Sequence, residues 1–260
     1  MVSPESSRSP RVEIVKPYSQ LAWIYDYVMR HVNYVHWANY INQILRSTGI
    51  PVRYVVDMAC GTGNLAFELH HRNYQVSGFD SCFSMIKVAQ EKSRQNRVAI
   101  PFWCGDITNF ALAKPQDALL CLYDSINYLM SLEECQKVFK NVYSSLKAGG
   151  LFILDICTER NSKKNFRDYF EKDSIGDISY TRKSYYSENQ RIHFNEFHIK
   201  VKSTATEYVE LHQQRIYSID ELQTAIRKEP YKILNIFDGF TTKPGSEKSD
   251  RVHFVLQKMA

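Results

Sequence analysis

The sequence predicts an α/β protein: an open, mostly parallel sheet with helices on both faces and an added cap. Three observations carry this. Residues 52–56 are Val-rich and lack polar alternation, which suits a parallel strand covered on both faces; the strand ends in Asp57 and passes through Gly61-x-Gly63 into a helical pattern over 64–72. Strand and helix patterns then alternate as far as residue 157. Beyond 158 the alternation stops, and the chain closes on two strand patterns, 231–237 and 251–257, joined by a Gly/Pro/Ser loop.

A chain of 260 residues is long enough for one such domain with a lid, or for two small domains. Hydrophobic content of 44% and charged content of 23% are those of an ordinary globular protein. No apolar run reaches the length of a membrane span, and the polar N-terminus has no signal core, so a cytoplasmic protein without a membrane partner is expected. Residues 1–13 read as a disordered tail. The six cysteines form no CxxC pair and no His-interleaved spacing, so no metal is expected. Cys60, Cys104, Cys121 and Cys157 fall near strand ends and read as small buried hydrophobes. The net charge of +5 comes from scattered Lys and Arg, without the basic stripe of a nucleic-acid binder, so no nucleic-acid partner is expected.

Taken in order, Leu21, Tyr25, Val28 and Met29, then Tyr34, Trp37, Tyr40, Ile41, Ile44 and Leu45, fit two amphipathic helices. Residues 74–79 form a second strand ending in Asp80, followed by a helix over 81–95. A third strand over 98–103 runs into Cys104-Gly105-Asp106-Ile107, and a fourth over 117–123 runs into Asp124-Ser125-Ile126-Asn127-Tyr128. Ser131 and Glu134 make a capping box for a helix ending at Gly149-Gly150; the fifth strand is 151–156. Segments near 177–186, 190–202 and 205–217 alternate as half-exposed antiparallel strands do. A phase shift between Ile192/Phe194 and Phe197/Ile199/Val201 predicts a bulge at Asn195-Glu196, with His193 and His198 on a solvated face beside Lys200. Ser218 and Glu221 make a second capping box, for a helix to about Arg227. The domain pattern is thus 14–157 with 218–260, and a cap over 158–217.

Glycine at 61 and 63 permits unusual φ and lets a ligand approach the backbone, and an acid about 20 residues further on is where a nucleotide-binding α/β fold holds ribose hydroxyls. Gly61-x-Gly63-x-x-Ala66 also meets the dinucleotide fingerprint. Asp57, four residues before Gly61, decides against it: a carboxylate repels a pyrophosphate and attracts a cationic ligand. Asp57-Met58-Ala59-Cys60-Gly61-Thr62-Gly63 resembles the first motif of class I S-adenosylmethionine-dependent methyltransferases.

The resemblance implies a Rossmann-like seven-strand sheet with an antiparallel C-terminal hairpin and an N-terminal helical lid, with S-adenosylmethionine as cofactor. It assigns Asp57, Ala59, Gly61, Gly63, Asn64 and Asp80 to the cofactor, and with them Gly105, Asp106, Ile107 and Leu122. It sets Met85 against the adenine edge and Tyr18 and Tyr25 over the methionine moiety; packing is the other reading of these three. Asp124-Ser-Ile-Asn-Tyr-Leu resembles the matching loop in methyltransferases of small amines, including amino-sugar N,N-dimethyltransferases, which implies that Asp124, Asn127 and Tyr128 face the acceptor. The plainer alternative, which the loop's four polar or aromatic groups disfavour, makes Asp124 a turn cap and Asn127 a loop closure.

The function implied is in-line methyl transfer to a small molecule carrying an amine, which needs little base catalysis, with Asp124 steadying the ammonium. A hydroxyl acceptor needs a positioned base, and the cap can supply His193 or His212. No catalytic residue is assigned. O-methylation, RNA or protein methylation and non-catalytic cofactor binding stay open, as do the acceptor's identity and the oligomeric state. Neither a basic, aromatic-rich accessory domain nor an Asn-Pro-Pro-Tyr-like tetrad marks a polymer substrate.

Overall fold

The computed structural model describes residues 11–259. Its main sheet has seven strands: β2 (Tyr54–Met58), β3 (Gln75–Asp80), β4 (Phe102–Cys104), β5 (Gln116–Cys121), β6 (Leu146–Cys157), β11 (Tyr231–Asp238) and β12 (Arg251–Lys258). Their spatial order is β11-β12-β6-β5-β2-β3-β4, with β2 to β6 parallel and β12 antiparallel to both neighbours. The expected Rossmann-like α/β sheet with a closing hairpin is therefore the fold observed.

Successive strand residues point to opposite faces, so each apolar run feeds two cores. Val55, Leu120 and Ile153 pack toward α2 (Tyr34–Ser47), α3 (Asn64–His70) and α4 (Phe83–Gln95). Their neighbours Val56, Leu119 and Phe152 pack toward α5 (Leu132–Ser145) and α7 (Ile219–Ile226). Both predicted capping boxes are formed, at Ser131/Glu134 and Ser218/Glu221. Gly149 and Gly150 lie inside β6 rather than ending a helix.

The cap is a second sheet, ordered β1-β10-β9-β8-β7. Four of its strands follow the main sheet's β6: β7 (Asp168–Ile175), β8 (Ile178–Ser187), β9 (Ile192–Val201) and β10 (Thr206–Arg215), preceded by the short α6 (Glu159–Asn165). The fifth is N-terminal. β1 (Arg11–Val15) pairs parallel with β10, so the tail expected over 1–13 gives way to a strand from Arg11; residues 1–10 lie outside the described part.

The bulge expected at Asn195-Glu196 is absent, because β9 pairs with β8 and β10 without a register shift. Phe194 is on the outer face, stacked on Tyr185 at 4.8 Å, and this outer aromatic pair mimics a change of phase. His193 is consequently buried, 3% exposed, on the inner face with Phe197 and Ile199. Cys104 is exposed, not buried, while Cys121 and Cys157 are buried as expected.

Between β1 and α2 runs a strap, residues 16–33, with a 3-10 turn at Leu21–Trp23 and the one-turn α1 (Tyr25–Val28). Leu21, Ile24 and Val28 pack on Tyr180, Phe197 and Ile199 of the cap. No helix among the described residues is long and apolar enough to cross a membrane.

Candidate active site

A cavity of about 740 Å³ opens at the carboxyl ends of β2, β3, β4 and β5, roofed by the strap. Positive φ values collect around it: Tyr18 (65°), Ala59 (53°), Gly61 (54°), Gly63 (80°), Tyr123 (63°) and Asp124 (62°). Left-handed backbone at non-glycine residues costs on the order of 1–3 kcal/mol each and persists where surrounding contacts enforce it.

The two motif glycines do different work. Around Gly61 nothing stands within 4 Å of a virtual Cβ, so its face is open to the cavity. A Cβ on Gly63 would meet Phe102 Cζ at 2.7 Å, so this residue lets α3 settle against β4 and does not line the cavity. Gly105 is likewise a packing glycine, its virtual Cβ 3.0 Å from Phe79 Cδ2, and it does not line the cavity either.

Asp80 closes the turn from β3. Its Oδ2 accepts from the Gly61 amide at 2.9 Å and its Oδ1 from the Cys82 amide at 2.8 Å. Each oxygen keeps a lone pair for a diol in the cavity. Asp57 is 3% exposed and lines the cavity, and no hydrogen bond to its carboxylate is formed among the described residues. Burial first, then the charge of Asp80, pushes it up to about 8. Such a carboxylate asks for a cation. Asp106 adds a third acid at the end of β4, its Oδ1 held by Thr108 and its side chain exposed. Ala59, Met85, Ile107 and Leu122 supply the apolar walls, and Met85 is 2% exposed.

The strap is fixed at two places. At its far end Asp26 Oδ1 accepts from Thr62 Oγ1 (2.6 Å) and Asn64 Nδ2 (2.9 Å), and Oδ2 pairs with Lys92 at 2.8 Å. Burial works to raise the Asp26 carboxyl, but Lys92 and these hydrogen bonds hold it below the usual carboxylate range. Asn64 lines the cavity with its side chain thus committed. At the near end the fully buried Glu210 of β10 accepts from three strap amides: Tyr18 at 2.7 Å, Gln20 at 2.7 Å and Leu21 at 3.0 Å. These bonds enforce the left-handed turn at Tyr18, and with it the placement of Tyr18 and Tyr25 in the cavity wall.

Of the three residues expected on the acceptor side, the structure brings only Tyr128 to the cavity. Its hydroxyl lies 2.5 Å from that of Tyr18 and 3.0 Å from Nδ1 of His212. Asn127 is fully buried, and its amide is consumed as a joint: Nδ2 donates to Arg215 O at 2.8 Å while Oδ1 accepts from Cys157 N at 3.0 Å. It ties the ends of β6 and β10 together and has nothing left for a ligand. Asp124 turns away to Arg251, 2.9 Å from Nη2 and 2.7 Å from Nη1, and Arg251 also binds the buried Asp155. Arg251 takes up the charge expected to face the acceptor.

Two buried residues of the cap stand behind the site: Glu210, not singled out in the sequence, and His212, one of the two bases the cap was expected to offer. Glu210 and His212, two apart on β10, share the inner face. Their sequence signal was the Glu-x-His spacing in a strand, weakened because the neighbouring apolar Val209 and Leu211 lie on the other face. His193, the other base the cap offered, sits 3.4 Å from Ser162 against Phe166, and burial and Arg182 push it down to about 4. It is a neutral packing histidine.

A cofactor carrying an ammonium, a sulfonium and a ribose diol fits this donor set: an unpaired buried carboxylate, a half-satisfied acid at a glycine turn, and open space over Gly61. The fold is that of class I S-adenosylmethionine-dependent methyltransferases, and residues 55–150 match the methyltransferase domain family. A candidate methyltransferase of Geobacillus sp. (strain WCH70) is 29% identical over 93% of this chain and 99% of its own. Among solved structures, an S-adenosylmethionine-dependent methyltransferase from Clostridium acetobutylicum superposes with a TM-score of 0.79 at 23% identity, over 94% of this chain and 99% of its own. A sugar N-methyltransferase from Streptoalloteichus superposes with a TM-score of 0.76 at 17% identity, over 100% and 99%.

Proposed function

We propose that this chain transfers the methyl group of S-adenosylmethionine to an amine on a small molecule, by in-line displacement. One observation carries the reading. The cavity lies within the ~300–1,000 Å³ range of small-molecule sites, and it ends under the cap at a pair of aromatic hydroxyls, not in an open basic groove. Its lining carries Asp57, Asp80 and Asp106 against a single basic side chain, Lys16, a balance that favours cationic ligands over a polyanion. The sugar N-methyltransferase fold neighbour supports an amine acceptor.

The bound cofactor supplies an electrophilic methyl, so the chain's task is alignment and exclusion of water. Asp57 and Asp80 orient the cofactor, the strap and its tyrosines close the cavity, and Tyr18 and Tyr128 present oxygen to the acceptor. A hydroxyl acceptor is the second reading, favoured by His212 within hydrogen-bond reach of Tyr128.

The test is calorimetry with S-adenosylmethionine against NAD, followed by a methyl-transfer screen over amino acids, amino sugars (free and nucleotide-linked) and the corresponding alcohols. Micromolar binding of S-adenosylmethionine alone and turnover of amines is expected. Methylation confined to alcohols, to RNA or to proteins would overturn the amine assignment.

A further inference from the structure

The cap buries a hydrogen-bonded chain that runs from Glu210 through His212 and Tyr128 to Tyr18, and only its last members reach the cavity. The direction of every bond in it follows from its closed end. Glu210 already accepts from the Tyr18, Gln20 and Leu21 amides, and a carboxylate so surrounded is an acceptor only. The 3.1 Å contact from His212 Nε2 to Glu210 Oε2 therefore carries the imidazole proton on Nε2. That leaves Nδ1 as an acceptor, so the Tyr128 hydroxyl, 3.0 Å away, donates to it. Tyr128 has then spent its proton, and at 2.5 Å it accepts from Tyr18. All protons in the chain point toward Glu210. Its open end presents oxygen lone pairs to the cavity.

We propose that Tyr18, Tyr128, His212 and Glu210 form a one-way proton-accepting chain for the methyl acceptor. The inference rests on the methyl-transfer reading and adds where the acceptor's proton goes. An acceptor N–H gives its proton to Tyr18 oxygen, Tyr18 passes its own to Tyr128, and Tyr128 passes its own to His212 Nδ1. The nitrogen keeps the electron pair and uses it to bond the methyl carbon, whose old bond leaves its pair on sulfur. Glu210 compensates the resulting imidazolium, which returns the proton to water after product release. Burial raises both tyrosine hydroxyls far above their ordinary range, so neither rests as a phenolate and the shifts are concerted. Tyr18 and Tyr128 touch the cavity; His212 and Glu210 act through them as positioning residues.

Two measurements decide it. With ¹⁵N-labelled histidine and no ligand, ring NMR at neutral pH is expected to show His212 neutral with its proton on Nε2, the signal identified by its loss in His212→Asn. A proton on Nδ1, or on both nitrogens, overturns the chain whatever the acceptor is. With S-adenosylmethionine and an amine found in the screen above, His212→Asn is expected to lower kcat by about 10²-fold, the usual worth of a proton-transfer partner, while KM for S-adenosylmethionine stays within twofold. An unchanged kcat overturns the chain but leaves the amine reading standing. The Nε2 tautomer in a protein that turns over no amine supports the chain and sinks the amine.

Discussion

The two sheets of this protein hide different kinds of surface. In the main sheet both faces are mostly apolar, Asp155 and His253 being buried polar exceptions, and the cavity acids Asp57, Asp80 and Asp106 stand at strand ends. In the cap the inner face carries Glu210, His212, Asn195, Ser184 and His193, all buried, while Val12, Ile14, Phe170 and Leu211 are exposed. The main sheet gains its stability from apolar burial. The cap's polar face is tolerable only because almost every group on it is paired, as with Asn195 Oδ1 accepting from Arg182 and Ser184 at 2.6–3.0 Å. A mostly apolar scaffold and a paired polar surface are thus separated by sheet, with the strap bridging them.

If that division is right, cutting the strap's anchor in the cap should have the largest effect. Glu210→Ala leaves three strap amides, one of them buried, without a partner and is expected to cost about 3 kcal/mol of stability. Thermal denaturation reads the loss, and hydrogen exchange should accelerate over residues 16–28 and not in α5. Uniform acceleration through both would show that the cap is part of the general scaffold.

Next comes the contact proposed for the main sheet's Asp80. Asp80→Ala is expected to weaken S-adenosylmethionine by about 1–3 kcal/mol, with little change in the strap's exchange. An unaltered dissociation constant would remove Asp80 from the site.

The glycine pair sharpens the distinction within a single turn. Alanine at either position bears the left-handed penalty of about 1–2 kcal/mol. Gly63→Ala should lose more stability, through its clash with Phe102, and Gly61→Ala should lose more cofactor affinity. Calorimetry and melting on the two variants give the ranking, and the reverse order would show their roles exchanged.

Over the single unit from pH 7 to 8, the smallest effect is a pH dependence. Asp57 titrates at about 8 in the free protein, so below that pH it carries a proton. A cationic cofactor favours the carboxylate, so binding expels the proton, and affinity should rise with pH by up to about tenfold per unit until pH 8. The free protein shows the opposite trend. Its Asp57 holds a proton that the unfolded chain has released from about pH 4 upward, so this group's contribution to stability falls from pH 4 to pH 8. Titrations in buffers of different ionisation enthalpy count the released proton, and its absence at pH 7 would leave Asp57 without a cationic partner.

Sequence legibility followed the same division. The main sheet could be read because its strands are apolar runs, its turns carry glycine and its helices open on capping boxes whose partners lie three residues apart. The acids that line the cavity were legible for the same reason, each standing at a strand end. The acceptor side was not, because its polar groups are spent on distant partners: Asp124 on Arg251, 127 residues away, and Asn127 on Arg215, 88 away. β1 looked like tail because a five-residue strand with Val12 and Ile14 exposed is defined only by β10, in which Arg11 pairs with the distant Thr206. Glu210 went unnoticed, and His212 was named only as one of two possible bases, because alternation marks the apolar face as the inner one, and in β10 the inner face is polar.

The strap's double fastening sets a rhythm as well as a shape. Held by Glu210 at one end and by Asp26 with Thr62, Asn64 and Lys92 at the other, it roofs the cavity between two sites that no single fluctuation releases together. On the proposed function, a spent nucleoside beneath the strap is expected to leave only when a fastening yields. Residues of the fastenings, which are not the cavity acids, would then set the rate of release apart from the strength of ligand contacts.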